Sequence, residues 1–210
     1  MLALRTFKEG RVGYDQVRFS TVRFCPVLTP SLGYGDIYVP PGRYSISNAE
    51  VERLRRHADL VFACKDASMQ MACARLADAE NRTRTEDRIV DAVVGMESIL
   101  LAAIDKGDRR GELSFRFSMN YSTLFDAPEQ KLAAYKVARD LYGLRSVVAH
   151  GAAIDEEKLK ISGEKMSLDA AGKKAREVLR GIINFFLPEN RAPYKNAEFW
   201  QRRYFGLPDA

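Results

Sequence analysis

The residues best suited to chemistry lie in one short stretch, 141–151, with the sequence LYGLRSVVAHG. It places a guanidinium, a hydroxyl and an imidazole, those of Arg145, Ser146 and His150, near the end of an apolar helical pattern. An imidazole can act as general acid or base near neutral pH, and a guanidinium can neutralise phosphate oxygens. The chain has only two histidines, so imidazole chemistry has few other places to occur.

The spacing of Arg145 and His150 leaves two interpretations open. Residues five positions apart differ in direction by about 140° on an ideal helix, so these two do not share a face by spacing alone. Gly151 predicts that the helix ends at His150. In a structural interpretation, His150 caps the helix end and Arg145 forms a salt bridge. In a functional one, the long arginine side chain reaches around toward the imidazole.

Glu97 is a charged residue within the most apolar helical pattern of the chain. Its carboxylate could simply reach solvent or pair with a nearby arginine. Alternatively it orients Arg145 or His150 from a neighbouring helix, because a buried anion requires a partner. The sequence does not decide between these two interpretations.

Two basic clusters are candidate RNA contacts. Arg55 and Arg56 adjoin His57 on a helix, and we interpret this cluster as a solvated basic face that could contact phosphate. Arg202 and Arg203 lie beside aromatic residues near the C-terminal end, and cationic and aromatic side chains together suit single-stranded nucleic acid. Hydrophobic docking of the C-terminal segment onto the rest of the protein is the favoured alternative for this second cluster.

Helical patterns that must position these residues dominate the chain from Ser47 onward. A capping box at Ser47 and Glu50 opens the first helix, and a second at Thr83 and Glu86 opens the strongest apolar one. Pro128 suits the first turn of the helix that leads to Arg145. The patterns predict helices over 47–62, 66–80, 83–105, 112–124, 126–150 and 167–187.

The remaining segments predict a less regular structure. Residues 1–45 alternate loosely between apolar and polar types with several glycines and prolines, which indicates one or two short strands and an irregular arm. Residues 152–167 are charged and unpatterned and predict a long surface loop. The expected fold is therefore an all-α bundle (46–187) with a short β or irregular N-terminal segment (1–45) and a docked C-terminal tail (188–210).

Composition narrows the class of protein. Of the 210 residues three are cysteines, without the spacing of a thiolate zinc site or the even count of a disulfide framework. We therefore expect a reducing, cytoplasmic location. No apolar run has the length of a membrane span, so no membrane partner is expected. A formal charge of +5 is compatible with a polyanionic partner and does not identify one.

The stretch 141–151 resembles the Arg-x4–6-His signature of HEPN domains, and its R-S-x-x-x-H-G form is similar to the Apea-like branch of that superfamily. Three further segments extend the resemblance, which covers at least residues 48–187. Residues 87–91 with 96–100 (DRIVD, MESIL) are similar to the second conserved helix of that branch, 112–116 (ELSFR) to the segment after it, and 4–13 (LRTFKEGRVG) to its lead-in.

The resemblance implies an all-helical homodimer in which the arginine and histidine of both subunits line one cleft. It also implies a metal-independent endoribonuclease without a cofactor that cleaves single-stranded or loop RNA. Arg145 would neutralise charge on the phosphorane, and His150 would act as general acid or base. Ser146 departs from the pattern, because active members often carry Asn, Asp or His there.

Such a ribonuclease would act in stress response or antiviral defence, for example as a toxin with an antitoxin or other partner protein. One alternative is a non-catalytic HEPN module that binds RNA, a nucleotide or a partner protein. A second alternative is a structural or regulatory helical bundle.

Overall fold

The computed structural model describes residues 1–10, 16–17, 32–33, 44–104, 112–189 and 192–208. Within these ranges the protein is an all-α bundle, which confirms the predicted fold class. The described helices are α1 (Leu2–Phe7), α2 (Asn48–Ala63), α3 (Ala67–Asn81), α4 (Thr85–Leu100), α5 (Leu113–Ser122), α6 (Pro128–Ala149), α7 (Leu168–Phe186) and α8 (Ala197–Tyr204). The described strands form two antiparallel hairpins, β1 (Gln16–Val17) with β2 (Leu32–Gly33) and β3 (Lys160–Ile161) with β4 (Glu164–Lys165).

Helix α4 forms the centre of the bundle and packs against α3, α6 and α7. The apolar residues that recur along it at helical spacing are fully buried, among them Ile89, Val93 and Met96. Burying an aliphatic side chain of this size stabilises a fold by about 1.5–3 kcal/mol. At Gly95 an added Cβ atom would lie 2.7 Å from Leu179 Cδ2, so the close approach of α4 to α7 requires a glycine.

Carboxylates that point into the bundle are paired with arginines. Asp91 of α4 is buried and accepts hydrogen bonds from Arg75 at 2.8 Å and from Arg82 at 2.7 Å. Glu80 of α3 pairs with Arg180 of α7 and lies 3.7 Å from Arg5 of α1. Burial raises the pKa of Glu80, and the charges of the two arginines oppose this shift. Each pairing joins separate segments, because a buried charge is tolerated only with a partner.

The N-terminal segment differs from the predicted extended arm, because it begins with the helix α1. This helix packs against α2, α3 and α7. Thr6 is buried in that contact, and Arg5 donates a hydrogen bond to the Ala77 carbonyl at 3.1 Å. Most of the remaining predicted arm lies outside the described residues, apart from the hairpin of β1 and β2.

The predicted surface loop at 152–167 contains the hairpin of β3 and β4. Leu159 and Ile161 are buried, and β3 packs against α6. Ser162 and Gly163 form the turn with positive φ angles of 54° and 86°. The Ser162 N–H donates to the Asp140 carboxylate at 2.8 Å, which ties the turn to α6. The unpatterned sequence gave no indication of this short element, because tertiary contacts stabilise it.

Helix α4 differs from its prediction at both ends. It begins at Thr85 with Arg84 at the N-cap and no side-chain cap, so the predicted capping box at Thr83 and Glu86 is wrong. It ends at Leu100, whose carbonyl accepts a hydrogen bond from the buried Asn120 of α5 at 2.6 Å. The predicted break at 106–108 lies outside the described residues.

The C-terminal segment forms α8, whose Phe199 and Trp200 are buried against Phe186 of α7. The Trp200 indole N–H donates to the Tyr194 carbonyl at 2.9 Å, so its polar atom is satisfied within the contact. None of the described helices combines the length and apolar character needed to cross a membrane.

The capping box of α2 leads to a pH-dependent prediction. Glu50 accepts hydrogen bonds from Lys8 of the N-terminal segment and from Ser47, and these lower its pKa from 4.5 to about 2. The folded protein favours the carboxylate, so this contribution to stability is complete above about pH 4.5 and is lost as the pH falls toward 2. Wild type and Glu50→Gln should therefore differ in free energy of unfolding at pH 7 and converge near pH 2. Urea unfolding across this range measures the difference, and one that does not change with pH contradicts the prediction.

Candidate active site around Arg145 and His150

Arg145 lies on the inner side of α6 and faces α4. Its Nη2 donates to Glu97 Oε2 at 3.3 Å. The two side chains are 29% and 19% exposed, so the ion pair lies at the edge of the core. The sequence suggested solvent, a nearby arginine or His150 as the partner of the Glu97 carboxylate, and in the structure that partner is Arg145. The pair joins the central helix of the bundle to the helix that carries the histidine.

An aromatic side chain supports this ion pair. The Arg145 guanidinium lies 6.0 Å from the centre of the Tyr142 ring, and that ring lies 5.0 Å from the fully buried Phe117 ring of α5. Tyr142 was not among the site residues predicted from sequence. The sequence indicated its involvement only through its position three residues before Arg145, because residues at this spacing are neighbours on a helix.

The electrostatics of the pair follow from its partial burial. Burial raises the pKa of Glu97, while the positive charge of Arg145 and hydrogen bonding to Tyr142 act in the opposite direction. Burial also raises the pKa of the Tyr142 hydroxyl, and the negative charge of Glu97 adds to this effect. Arg145 is thus the group that favours the charged form of Glu97 most strongly.

Arg145 retains unused hydrogen-bonding capacity. A guanidinium has five N–H donors, and a carboxylate can engage two of them in a parallel, bidentate contact. Among the residues that the structure describes, Arg145 has one hydrogen-bond acceptor, an oxygen of Glu97. The Nε atom is buried and has no hydrogen-bond partner there. The Arg145 side chain is therefore held in place by Glu97 while some of its N–H donors have no hydrogen-bond acceptor among the described residues.

His150 occupies the C-cap of α6, where the sequence predicted the helix end. Gly151 follows with φ of 70°, and its N–H donates to the Val148 carbonyl at 2.9 Å. The Ala152 N–H donates to the Val147 carbonyl at 3.2 Å. These two bonds form a Schellman motif, which holds the backbone of the helix end independently of the histidine side chain. The imidazole of His150 is exposed.

One chain does not bring Arg145 and His150 into contact. Arg145 faces α4 while His150 faces solvent, as the angle of about 140° between them predicts. No hydrogen bond or ion pair joins the two side chains among the residues that the structure describes. Ser146 is half-buried between them, and its carbonyl accepts the His150 N–H at 3.1 Å.

The outer face of α6 carries His150 together with Gly143. The two lie seven positions apart, which places them within about 20° of each other. Gly143 is exposed, and a Cβ atom added there would meet no atom of a described residue within 4 Å. A glycine inside a helix costs about 1 kcal/mol relative to alanine. Gly143 has no positive φ angle, and no close contact with a described residue requires a glycine at this position.

An open groove of about 370 Å³ also lies on the outer side of α6. It runs between the helix and the segment that includes β3. Its lining includes Gly143, Val147 and Lys158, so it adjoins the face on which His150 lies. The outer face of α6 is therefore concave where it borders this groove.

The other residues predicted to contact RNA lie outside this site. Arg55 and Arg56 are exposed on α2, which packs mainly against α1. In α8, Arg202 donates to the Pro208 carbonyl at 3.0 Å. Arg203 donates to the Thr123 carbonyl at 3.0 Å, and its guanidinium lies over two phenylalanine rings. Arg203 therefore helps to dock α8, as the alternative interpretation of this cluster expected.

His57 does not lie on a solvated basic face as predicted. It is half-buried against α1, where its Nε2 lies 2.7 Å from Thr6 Oγ1 and its ring packs edge-on against Phe7. Burial lowers its pKa. His57 therefore joins α2 to α1.

No family model matches the chain, and no curated protein or solved structure is significantly similar to it. The likeness to HEPN domains therefore rests on the residues of the chain itself. Among the described residues, no three histidine, cysteine or acidic side chains are grouped so that they could hold a metal ion.

The helix end yields a prediction about stability. His150→Ala should change the free energy of unfolding by less than about 0.5 kcal/mol, because the side chain is exposed. Gly151→Ala should reduce it by about 1 kcal/mol, because alanine is strained at a positive φ angle. Urea unfolding of both variants provides the measurement. An equal loss in the two variants would show that the imidazole itself holds the helix end.

Proposed function

We propose that this protein is a metal-independent endoribonuclease of the HEPN type that cleaves single-stranded or loop RNA. The observation that supports this proposal best is the environment of Arg145. Glu97 and Tyr142 hold its side chain in place, while some of its N–H donors remain without a hydrogen-bond acceptor among the described residues. His150, the second residue of the motif, is exposed at a rigid helix end on the same helix. We infer the type of reaction from the resemblance of the surrounding segments to HEPN domains.

The reaction needs only groups that the RNA and these residues provide. The ribose 2′-oxygen attacks the adjacent phosphorus, and the bond to the 5′-oxygen of the next nucleotide breaks. The products are a 2′,3′-cyclic phosphate and a free 5′-hydroxyl. His150 takes the proton from the 2′-hydroxyl or gives one to the departing 5′-oxygen. Arg145 neutralises the charge on the phosphorane, and the Ser146 hydroxyl donates to a phosphate oxygen.

The proposal requires a second copy of the chain. Within one chain Arg145 and His150 point in different directions, so one phosphate cannot meet both side chains by their present placement. A homodimer formed across the outer face of α6 would bring two His150 side chains to one cleft, and each Arg145, which is 29% exposed, would have to reach that cleft with the N–H donors that Glu97 does not use. One imidazole then serves as base and the other as acid. Gly143 suits such a dimer interface, here called the dimer seam, because a residue without a side chain lets two helices approach closely.

A non-catalytic module that binds RNA, a nucleotide or a partner protein is the second candidate. The observation that favours it is the ion pair itself. Arg145 is partly buried and already neutralised by Glu97, as expected of a residue that joins two helices. In this alternative the motif organises the bundle, and RNA binds without being cleaved.

The same resemblance suggests a setting for the ribonuclease. An unregulated ribonuclease would damage its own cell, so stress response or antiviral defence is the proposed role. An antitoxin or another defence protein would then be the partner that restrains it, in the cytoplasm. A toxin of this kind should arrest growth when expressed without that partner.

The first test is cleavage of total RNA in the presence of EDTA. Wild type should generate 2′,3′-cyclic phosphate ends, and His150→Ala and Arg145→Ala should each lower the rate by about 100-fold or more. Arg84→Ala serves as the control, because Arg84 is an exposed arginine at the start of α4. Undiminished cleavage by His150→Ala would overturn the assignment. RNA binding without cleavage by wild type would support the second candidate.

The second test concerns the dimer seam. Gly143→Gln should stabilise the isolated chain by up to about 1 kcal/mol while weakening the dimer and lowering cleavage. Gly181→Gln is a matched control, because Gly181 is also an exposed glycine within a helix with nothing near its missing Cβ. It should give a similar gain in stability and leave association unchanged. Sedimentation over a range of concentrations measures the dimer, and equal behaviour of both variants contradicts this seam.

A further inference from the structure

A separate open groove of about 380 Å³ lies where α1, α2 and α7 meet. Four residues of α2 form one wall, and their spacing places them on one face of that helix. Phe7 of α1 and Asn184 of α7 complete the lining. Its α2 residues are Arg53, Arg56, His57 and Leu60. The proposed cleavage reaction uses none of these side chains.

The lining of this groove is positively charged. The described residues that line it supply two guanidiniums and no carboxylate. Arg53 has no ion-pair partner among the residues that the structure describes. Arg56 lies 3.6 Å from Glu52, but both side chains are largely exposed, and such surface pairs contribute little. Both guanidiniums are therefore available to an anion, and neither has a partly buried carboxylate partner like that of Arg145 among the described residues.

An aromatic ring and an aliphatic side chain form the apolar part of the groove. The Arg53 guanidinium lies 5.8 Å from the centre of the Phe7 ring. Leu60 lies in the same lining and is half-buried. A planar base stacks well on such a combination of ring and guanidinium. The volume lies within the range of small-molecule sites, about 300–1,000 Å³.

His57 and Asn184 add neutral polar groups. The Thr6 hydroxyl lies 3.1 Å from the Leu2 carbonyl and 3.2 Å from the Ala3 carbonyl, to which it donates. Its oxygen is thus free to accept the hydrogen bond from His57 Nε2, which leaves Nδ1 as an acceptor. Burial lowers the pKa of His57 and favours this neutral form. The amide of Asn184 provides both a donor and an acceptor.

We propose that this groove binds one nucleotide, with the phosphate on Arg53 and Arg56 and the base against Phe7 and Leu60. Paired charge, a stacking surface and neutral polar groups in one groove match the three chemical parts of a nucleotide. The nucleotide is either a free mononucleotide or the 5′-phosphorylated end of an RNA strand. The site does not depend on Arg145 or His150, so it stands or fails separately from the ribonuclease proposal.

Calorimetric titration of the full chain with AMP, adenosine and inorganic phosphate tests the site. AMP should bind with one-to-one stoichiometry, and adenosine and phosphate should each bind at least about 10-fold more weakly. Arg53→Ala should weaken AMP binding by about 10-fold, because it removes a charged hydrogen-bond donor. Arg55→Ala is the matched control, since this neighbouring exposed arginine does not line the groove, and should change binding by less than about 2-fold.

A 5′-phosphorylated tetranucleotide with 2′-O-methyl groups, which cannot be cleaved through a 2′-hydroxyl, distinguishes the two sources. Tighter binding of this probe than of AMP, with the same dependence on Arg53, identifies the end of an RNA strand. Binding of AMP alone identifies a free nucleotide. The site is overturned if AMP does not bind, or if the Arg53 and Arg55 variants lose binding equally. Arg53 is exposed, and matching thermal unfolding curves will establish that its variant is folded.

Discussion

The carboxylate of Glu97 imposes the constraint on which the site geometry depends. It extends from α4, the helix that the bundle buries most completely, so it requires a cation at the edge of the core. Arg145 meets this requirement and thereby fixes the inner side of α6. Once Arg145 faces α4, the helical repeat turns His150 by about 140° toward solvent. The ion pair and the burial of Leu141 and Leu144 together fix which way α6 faces, and the helical repeat then sets the direction of His150.

This constraint divides α6 into two faces with different properties. The inner face is held by burial of Leu141 and Leu144 and by the ion pair. The outer face borders the open groove beside β3 and carries an exposed imidazole and an exposed glycine. Within the described chain, Arg145 and His150 therefore lie on different faces of the same helix.

The sequence predicted the parts of the fold that are encoded by long apolar repeats. Helices α2, α4, α6 and α7 have such repeats, and the end of α6 follows from Gly151. The sequence did not predict α1 or the hairpin at Lys160–Ile161, because elements this short are stabilised by tertiary contacts and not by their own pattern. The partner of Glu97 could not be predicted either. Its pairing with Arg145 depends on how α4 and α6 pack.

The arginines proposed to bind phosphate differ in how far neighbouring carboxylates neutralise their positive charge. Arg145 shares its charge with Glu97, so a phosphate there must compete with a carboxylate or use the remaining donors. Arg53 faces a groove in which no described lining residue is acidic, so its charge acts on approaching anions with less opposition. Charge attracts a polyanion over distance, whereas a positioned and partly neutralised arginine acts only at contact. Capture and chemistry therefore place different demands on an arginine, and Arg53 and Arg145 differ in the corresponding way.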